Sequence, residues 1–237
     1  AGQVCINYER IYVHQAIYAD FMAAVRERIQ AIRLGAGDGF DTDMRALINP
    51  AHHQRVQDHI ADALEKGAQP LTGGRPRPDL GPTLYEPTLL SGVTPEMSLH
   101  AEEVFGPVAA VHKVASAEEA IRLANDTPYG LHAGIFTRSR ARGERLARQI
   151  RAGTVCINDT HTVWSAMDAP MGGVKASGMG RRHGPEGIQQ YTDAQTIFVN
   201  RLNRQIGGGQ TPLSIRAGFM DLLTWALKLW RRIPFLR

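Results

Sequence analysis

Two cysteines, a pair of glutamates and a group of histidines carry most of the chain's reactive side chains. Cys5 lies in "AGQVCINYERIYVH", behind Gly2 and Gln3 and just ahead of an apolar strand. A thiol acts as a nucleophile through its thiolate, and only where a substrate can reach it. Composition alone does not separate that role from a buried or incidental cysteine. Cys156, in "GTVCIN", sits amid a strand run and reads as a small core hydrophobe. Glu102 and Glu103 open "EEVFGPV". They read either as a solvated pair at a strand start or as a carboxylate that accepts hydrogen bonds from paired hydroxyls, as on a ribose. His52, His53 and His59 share one predicted helix, but the nine histidines include no HExxH spacing, so no metal site is expected. There is no P-loop and no G-x-G-x-x-G after a strand, and "GGVKASGMGRR" has its glycines in another setting.

These groups must be positioned by alternating strands and helices. "RIYVH" (Arg10–His14) predicts a strand. Ala16 to Leu34 predicts a helix with Ile17, Phe21, Val25 and Ile29 on one face, broken by Gly35, Gly37 and Gly39. A second helix runs from Pro50, at a favoured first helical position, to Lys66. "PLTGG" and "PTLYEPTLL" are strand and turn material, and "PVAAVHKV" (Pro107–Val114) is a strand. Ser116 with Glu119 forms a capping box for "AEEAIRLAND". "GLHAGIFT" and "AGTVCIN" read as strands around a helix in "SRARGERLARQI". The glycine-rich stretch Ala169–Gly187 reads as a shaped loop, and "AQTIFVN" (Ala194–Asn200) as a late strand. The alternation predicts an α/β fold with a mainly parallel sheet and flanking helices.

At 237 residues the chain can hold one large domain or two small ones. Its 43% hydrophobic and 21% charged residues are ordinary for a globular protein. The net charge of +4 is unevenly placed: from Arg201 onward there are seven Lys/Arg and one Asp, against 20 Lys/Arg and 22 Asp/Glu before it. The near-neutral body argues against nucleic-acid binding. Two cysteines are too few for a disulfide scaffold, which with no signal peptide in view points to a reducing, cytoplasmic setting.

"GQVC", "EEVFGPV", "NDTPYGLHAGIFT", "GTVCIN" and "PMGGVKASGMGRRHG", in that order, resemble the aldehyde dehydrogenase superfamily over residues 1 to about 200. The resemblance is to the C-terminal part of the family. It implies a catalytic domain over 1–190, incomplete and truncated at the N-terminus just upstream of the nucleophile, with an oligomerisation strand over 191–200 and a basic tail over 201–237. It also implies roles. Cys5 matches the catalytic thiol, whose attack on an aldehyde gives a thiohemiacetal and then a thioester, with the Cys5 backbone N–H helping to hold the oxyanion. Glu103 matches the glutamate that holds the nicotinamide ribose of NAD or NADP. Phe105 matches the aromatic beside the nicotinamide, and Arg55 falls where some members place a basic residue near that ribose. The segment from Thr160 to Met171 corresponds to the lining of the aldehyde's approach, with Met171 where the family usually has an aromatic. "GRRHG" replaces the common "GRE". The general base, the oxyanion asparagine and the dinucleotide-binding fold lie upstream in the family.

The closest look is to succinate-semialdehyde dehydrogenase, although the "GRRHG" branch also includes enzymes for hydrophobic aldehydes. Arg10 opens a strand and reads as structural. Asn7 stands where some members carry a second cysteine, so a thiol–disulfide switch of that kind is absent. The resemblance leaves two readings open: an NAD(P)-dependent aldehyde dehydrogenase acting on a small-molecule aldehyde as a homo-oligomer, or a non-catalytic product competent only for subunit association. Beyond about residue 200 only physical pattern speaks. Phe219, Leu222, Leu223, Ala226, Leu227 and Trp230 form one apolar helical stripe, closed by Arg231 and Arg232 before Pro234. It is too short to span a bilayer. It suits either docking on protein or peripheral contact with a membrane surface.

Overall fold

The computed structural model describes residues 1–37, 39–199 and 217–230. The chain divides into one unit over Ala1–Asp193 and a second from Ala194 onward.

The first unit is built on a four-stranded sheet of order β1-β4-β3-β2. Its strands are β1 (Arg10–His14), β2 (Gln69–Thr72), β3 (Thr88–Ser91) and β4 (Val108–Val114). β4 pairs in parallel with β1, Tyr12 opposite His112, and with β3, Leu90 opposite Ala110; β2 adds an antiparallel edge. Period-2 alternation divides the apolar residues between two faces. Val13, Leu89 and Val111 meet Met22 and the Phe21–Val25–Ile29 stripe of helix α1 (Tyr18–Gln30). On the other face, Leu90, Val108 and Ala110 meet Val56, Ile60 and Ala63 of helix α2 (Pro50–Glu65), with Leu99 of the short helix α3 (Ser98–Ala101). α2 starts where the sequence requires: Asn49 Oδ1 caps the His52 N–H at 2.8 Å, and Pro50 follows in the first turn.

Helix α4 (Ala117–Asn125) carries the predicted cap, with the Glu119 N–H on Ser116 Oγ at 3.1 Å and the Glu119 carboxylate on the Ala115 N–H at 2.7 Å. β5 (His132–Ile135), α5 (Arg140–Ala147) and β6 (Thr154–Ile157) then form a βαβ unit whose two strands pair in parallel. Within the described residues the predicted single sheet is therefore two sheets. The approach to β6 fits only a glycine: a Cβ on Gly153 would lie 1.6 Å from the Gly172 carbonyl oxygen.

Three sequence expectations are corrected. The α1 segment begins with a 3₁₀ turn over Gln15–Ile17 and ends at Gln30, because Leu34 instead bridges to Met44. The glycine-rich loop contains a 3₁₀ turn (Lys175–Ser177) and a short helix α6 (Gly184–Gln189), with Pro185 in its first turn. Residues 194–199 take no regular secondary structure where a strand was predicted. A strand needs a neighbour to complete its ladder, and these residues have none among those described; Asn200 lies outside them. In the second unit, helix α7 (Ala217–Trp230) occupies the predicted apolar segment. Among its described side chains Leu222, Trp225, Leu227 and Leu229 are exposed by 60, 59, 48 and 48%. No described helix is long and apolar enough to cross a membrane.

Candidate active site

Cys5 stands exposed on a tight turn ahead of β1. The Val4 N–H donates to the Gly2 carbonyl and the Asn7 N–H to the Val4 carbonyl, both at 2.9 Å. Buried Ile6 anchors the turn from below. Gln3 ties it sideways, its amide oxygen accepting the Ile48 N–H at 2.9 Å. Gly2 (φ +71°) lies so close to Gly106 that a Cβ there would be 2.0 Å from the Gly106 carbonyl oxygen. Asn7 Nδ2 also donates to that oxygen at 3.4 Å. The Cys5 turn is thus pressed against the "EEVFGPV" loop. No acceptor among the described residues takes the Cys5 N–H.

That loop is held from several sides. Arg55, on α2, donates to the Glu103 carbonyl, and His52 Nε2 donates to the Phe105 carbonyl at 2.7 Å, its ring edge-on to Phe105. Phe105 adopts φ +54°, uncommon for a residue with a side chain. The Glu9 carboxylate accepts the N–H groups of Val104 at 3.0 Å and Phe105 at 2.8 Å. Burial raises the Glu9 pKa above the ordinary carboxylate value; the two N–H bonds pull it back in part. The Glu103 side chain itself remains exposed. Glu102 faces elsewhere, lining a cleft of about 420 Å³ with Arg55, Asp58, His59, Asp62 and Ser98.

On the other side, Tyr8 connects Cys5's segment to β5. Its ring stacks on His132 at 5.3 Å between centroids. His132 Nε2 lies 2.9 Å from the Tyr8 hydroxyl and 3.0 Å from the Thr160 carbonyl. Burial, reinforced by the nearby Cys156 and Asp159, pushes the Tyr8 hydroxyl up to about 12. Thr160 opens a segment shaped by Asp159, whose carboxylate accepts the His161 N–H at 3.0 Å and the Thr162 N–H at 3.2 Å. Hydrogen bonds from Thr162 and its neighbours hold the Asp159 carboxyl down at about 2. Further along, the Arg182 guanidinium lies over the Trp164 ring at 4.9 Å.

The structure therefore brings the Cys5 turn against the loop of Glu103 and Phe105, which Arg55 of α2 holds, and links the Cys5 segment to Thr160. Met171 is 2% exposed, and its backbone exchanges two hydrogen bonds of 2.7 Å with Arg182. Cys156 is half-buried in β6, and burial and then the Asp159 charge push its thiol up, the reverse of what a nucleophile needs. Gln3, Tyr8, Glu9 and His52 were missed in the sequence. Their partners lie far along the chain, so no local pattern marked them.

A family model described as "Aldehyde dehydrogenase family" matches residues 1–197. A Mycobacterium tuberculosis protein named "Putative succinate-semialdehyde dehydrogenase [NADP(+)] 2" is 45% identical over 203 residues, 85% of this chain and 39% of its own length. A protein of the same name from Mycobacterium ulcerans is 44% identical over 231 residues, 97% of this chain and 45% of its own length, so this similarity runs into the tail. Among solved structures, a betaine aldehyde dehydrogenase of Staphylococcus aureus in complex with NAD+ superposes with a TM-score of 0.76 at 38% identity, over 81% of this chain and 38% of its own. A succinate-semialdehyde dehydrogenase of Burkholderia pseudomallei gives 0.75 at 41% identity, over 80% and 39%. The chain thus spans about two fifths of the length of the relatives it matches.

Proposed function

Because the chain belongs to the aldehyde dehydrogenase family, we propose that it carries the thiol half of an active site that oxidises an aldehyde to a carboxylic acid with NAD or NADP. The observation that carries this reading is the Cys5 turn: an exposed thiol with an uncommitted backbone N–H, fixed against the Glu103 loop. The Cys5 thiolate attacks the aldehyde carbon, and the Cys5 N–H donates to the oxyanion of the resulting thiohemiacetal. Collapse of that adduct expels hydride and leaves a thioester on Cys5, which water hydrolyses to the acid and the free thiol. NAD(P)+, when bound, supplies the hydride acceptor. The residues present fit it: Glu103 offers an exposed carboxylate to a ribose diol, and Phe105 follows on a backbone held from both sides.

For the substrate we favour an aldehyde bearing a carboxylate, such as succinate semialdehyde. The names of the relatives support it, and so does Arg182. Its exposed guanidinium covers the face of Trp164 that a quaternary ammonium would seek. It would attract an acid aldehyde and repel betaine aldehyde. In the full-length protein carrying this chain, Cys5→Ala is expected to abolish NAD(P)H formation from succinate semialdehyde, while Cys156→Ala retains it. A dead Cys156→Ala with an active Cys5→Ala would reverse the assignment, and preference for betaine aldehyde would overturn the substrate class. The 237-residue chain alone should produce no NAD(P)H, since the resemblance puts the general base and the cofactor fold outside it.

Two surfaces complete the reading. The exposed Ile197, Phe198 and Val199 suit association with a second copy of the chain. On α7 the polar residues Asp221, Thr224 and Lys228 form one narrow stripe, and the rest of the described surface is apolar. With Arg231 and Arg232 following, this suits a cytoplasmic protein touching an anionic membrane surface. Deleting residues 218–237 should abolish co-sedimentation with anionic vesicles at low salt; a full-length protein that stays in the supernatant would make α7 a protein-docking helix.

A further inference from the structure

Glu103 can hold a ribose only if its loop keeps one conformation. That loop includes Phe105 in the left-handed region, which disfavours a residue with a side chain. Arg55 and His52 secure only carbonyl oxygens, those of Glu103 and Phe105. The N–H groups of Val104 and Phe105 are taken by the carboxylate of Glu9, one to each oxygen. Glu9 also uses its backbone carbonyl to accept the Ala110 N–H at 2.8 Å, at the start of the β1–β4 ladder. One residue therefore joins the segment carrying the nucleophile to the loop carrying Glu103 and to the strand that follows it. A carboxylate suits this task because it is acceptor-only with two oxygens, whereas an amide offers one.

We propose that Glu9 is a positioning residue for the cofactor: it fixes the backbone of residues 103–105 relative to Cys5, and so sets where the nicotinamide ribose lies with respect to the thiol. The proposal rests on the reading of Glu103 as the ribose acceptor. Glu9 is half-buried; desolvation raises its pKa, and the two N–H bonds oppose that shift in part.

The test compares wild type, Glu9→Gln, Glu9→Asp and Glu103→Gln in the full-length protein. Two quantities are read: the dissociation constants of NAD+ and NADP+, and the rate at which p-nitrophenyl acetate acylates Cys5 without cofactor. Glu9→Gln, nearly isosteric, should weaken binding of the preferred cofactor about tenfold, the scale of one charge-assisted hydrogen bond. Acylation should stay close to wild type, and Glu9→Asp should restore part of the affinity. If Glu103→Gln weakens the cofactor and Glu9→Gln does not, the positioning role is wrong. If acylation falls in step with affinity, Glu9 is merely structural and the proposal fails. If Glu103→Gln leaves affinity unchanged, the ribose reading itself falls.

Discussion

β3 and β4 are sealed on both faces, with Leu90 and Ala110 fully buried, while β5 and β6 hold no buried residue at all. The four-stranded sheet has α1 on one side and α2 with α3 on the other, so each of its apolar residues finds a partner. The β5–β6 pair is fixed differently, through backbone contact at Gly153, the Tyr8–His132 stack and polar bonds around Asp159. Two of its enclosed polar atoms, His132 Nδ1 and Thr154 Oγ1, have no hydrogen-bond partner among the described residues. The same strand–helix alternation thus yields one region stabilised by burial and one stabilised by geometry. The proposed site uses both: the thiol and the Glu103 loop stand on the buried region, and the substrate's approach is on the other.

The sharpest way to break this contrast is in the sealed core. Leu90→Ala should cost about 2–5 kcal/mol in urea unfolding of the purified chain, from lost burial plus a cavity. A value near zero would mean that the four-stranded sheet is not where the stability resides. A smaller effect should appear with pH. His112 stacks on Tyr12, its Nε2 enclosed without a hydrogen-bond partner among the described residues. Burial, with help from Arg10, brings its pKa down to about 4 from 6.5. The unfolded chain then binds the proton that the folded chain refuses, so stability falls as pH drops from about 6.5 to about 4 and levels off below. His132 and His59 shift in the same direction, so the diagnostic is the difference between wild type and His112→Gln, whose urea midpoint should change less between pH 7 and pH 5. Equal slopes would leave His112 out of the balance. Least of all should be Val155→Ala on half-buried β6, at about 1 kcal/mol or below. A loss as large as that of Leu90→Ala would erase the distinction between the two sheets.

Local chemistry was legible in the sequence where one segment determines it. β1 lies where "RIYVH" puts it, Pro50 opens α2, and Ser116 with Glu119 caps α4. The split into two sheets was not legible, because strand propensity says nothing about which strand pairs with which. The 194–199 segment has strand composition but no partner to pair with among the described residues. For the site, the motif order drew Cys5, Glu103, Phe105 and Arg55 to attention; the fold sets the Cys5 turn against Gly106 of the same loop and bonds Arg55 to the Glu103 carbonyl. Glu9 escaped because its meaning lies in Val104 and Phe105, whose N–H groups are invisible in a string of letters. The backbone pairing of Met171 with Arg182 was not legible either, because it joins two points of the glycine-rich loop that no local pattern links.

The pairing of β1 with β4 sets Tyr12 opposite His112, and this has a consequence for how the chain comes to be folded. Residues 1–14 are made long before the strand that completes them. Until β4 emerges and α2 has gathered the loop around Phe105, the Cys5 segment has neither its ladder nor its clamp. Closing so long a loop is entropically slow. Cys5 would then be among the last groups to gain its final surroundings, and the nascent chain passes through a stage in which the thiol exists but the loop it packs against does not.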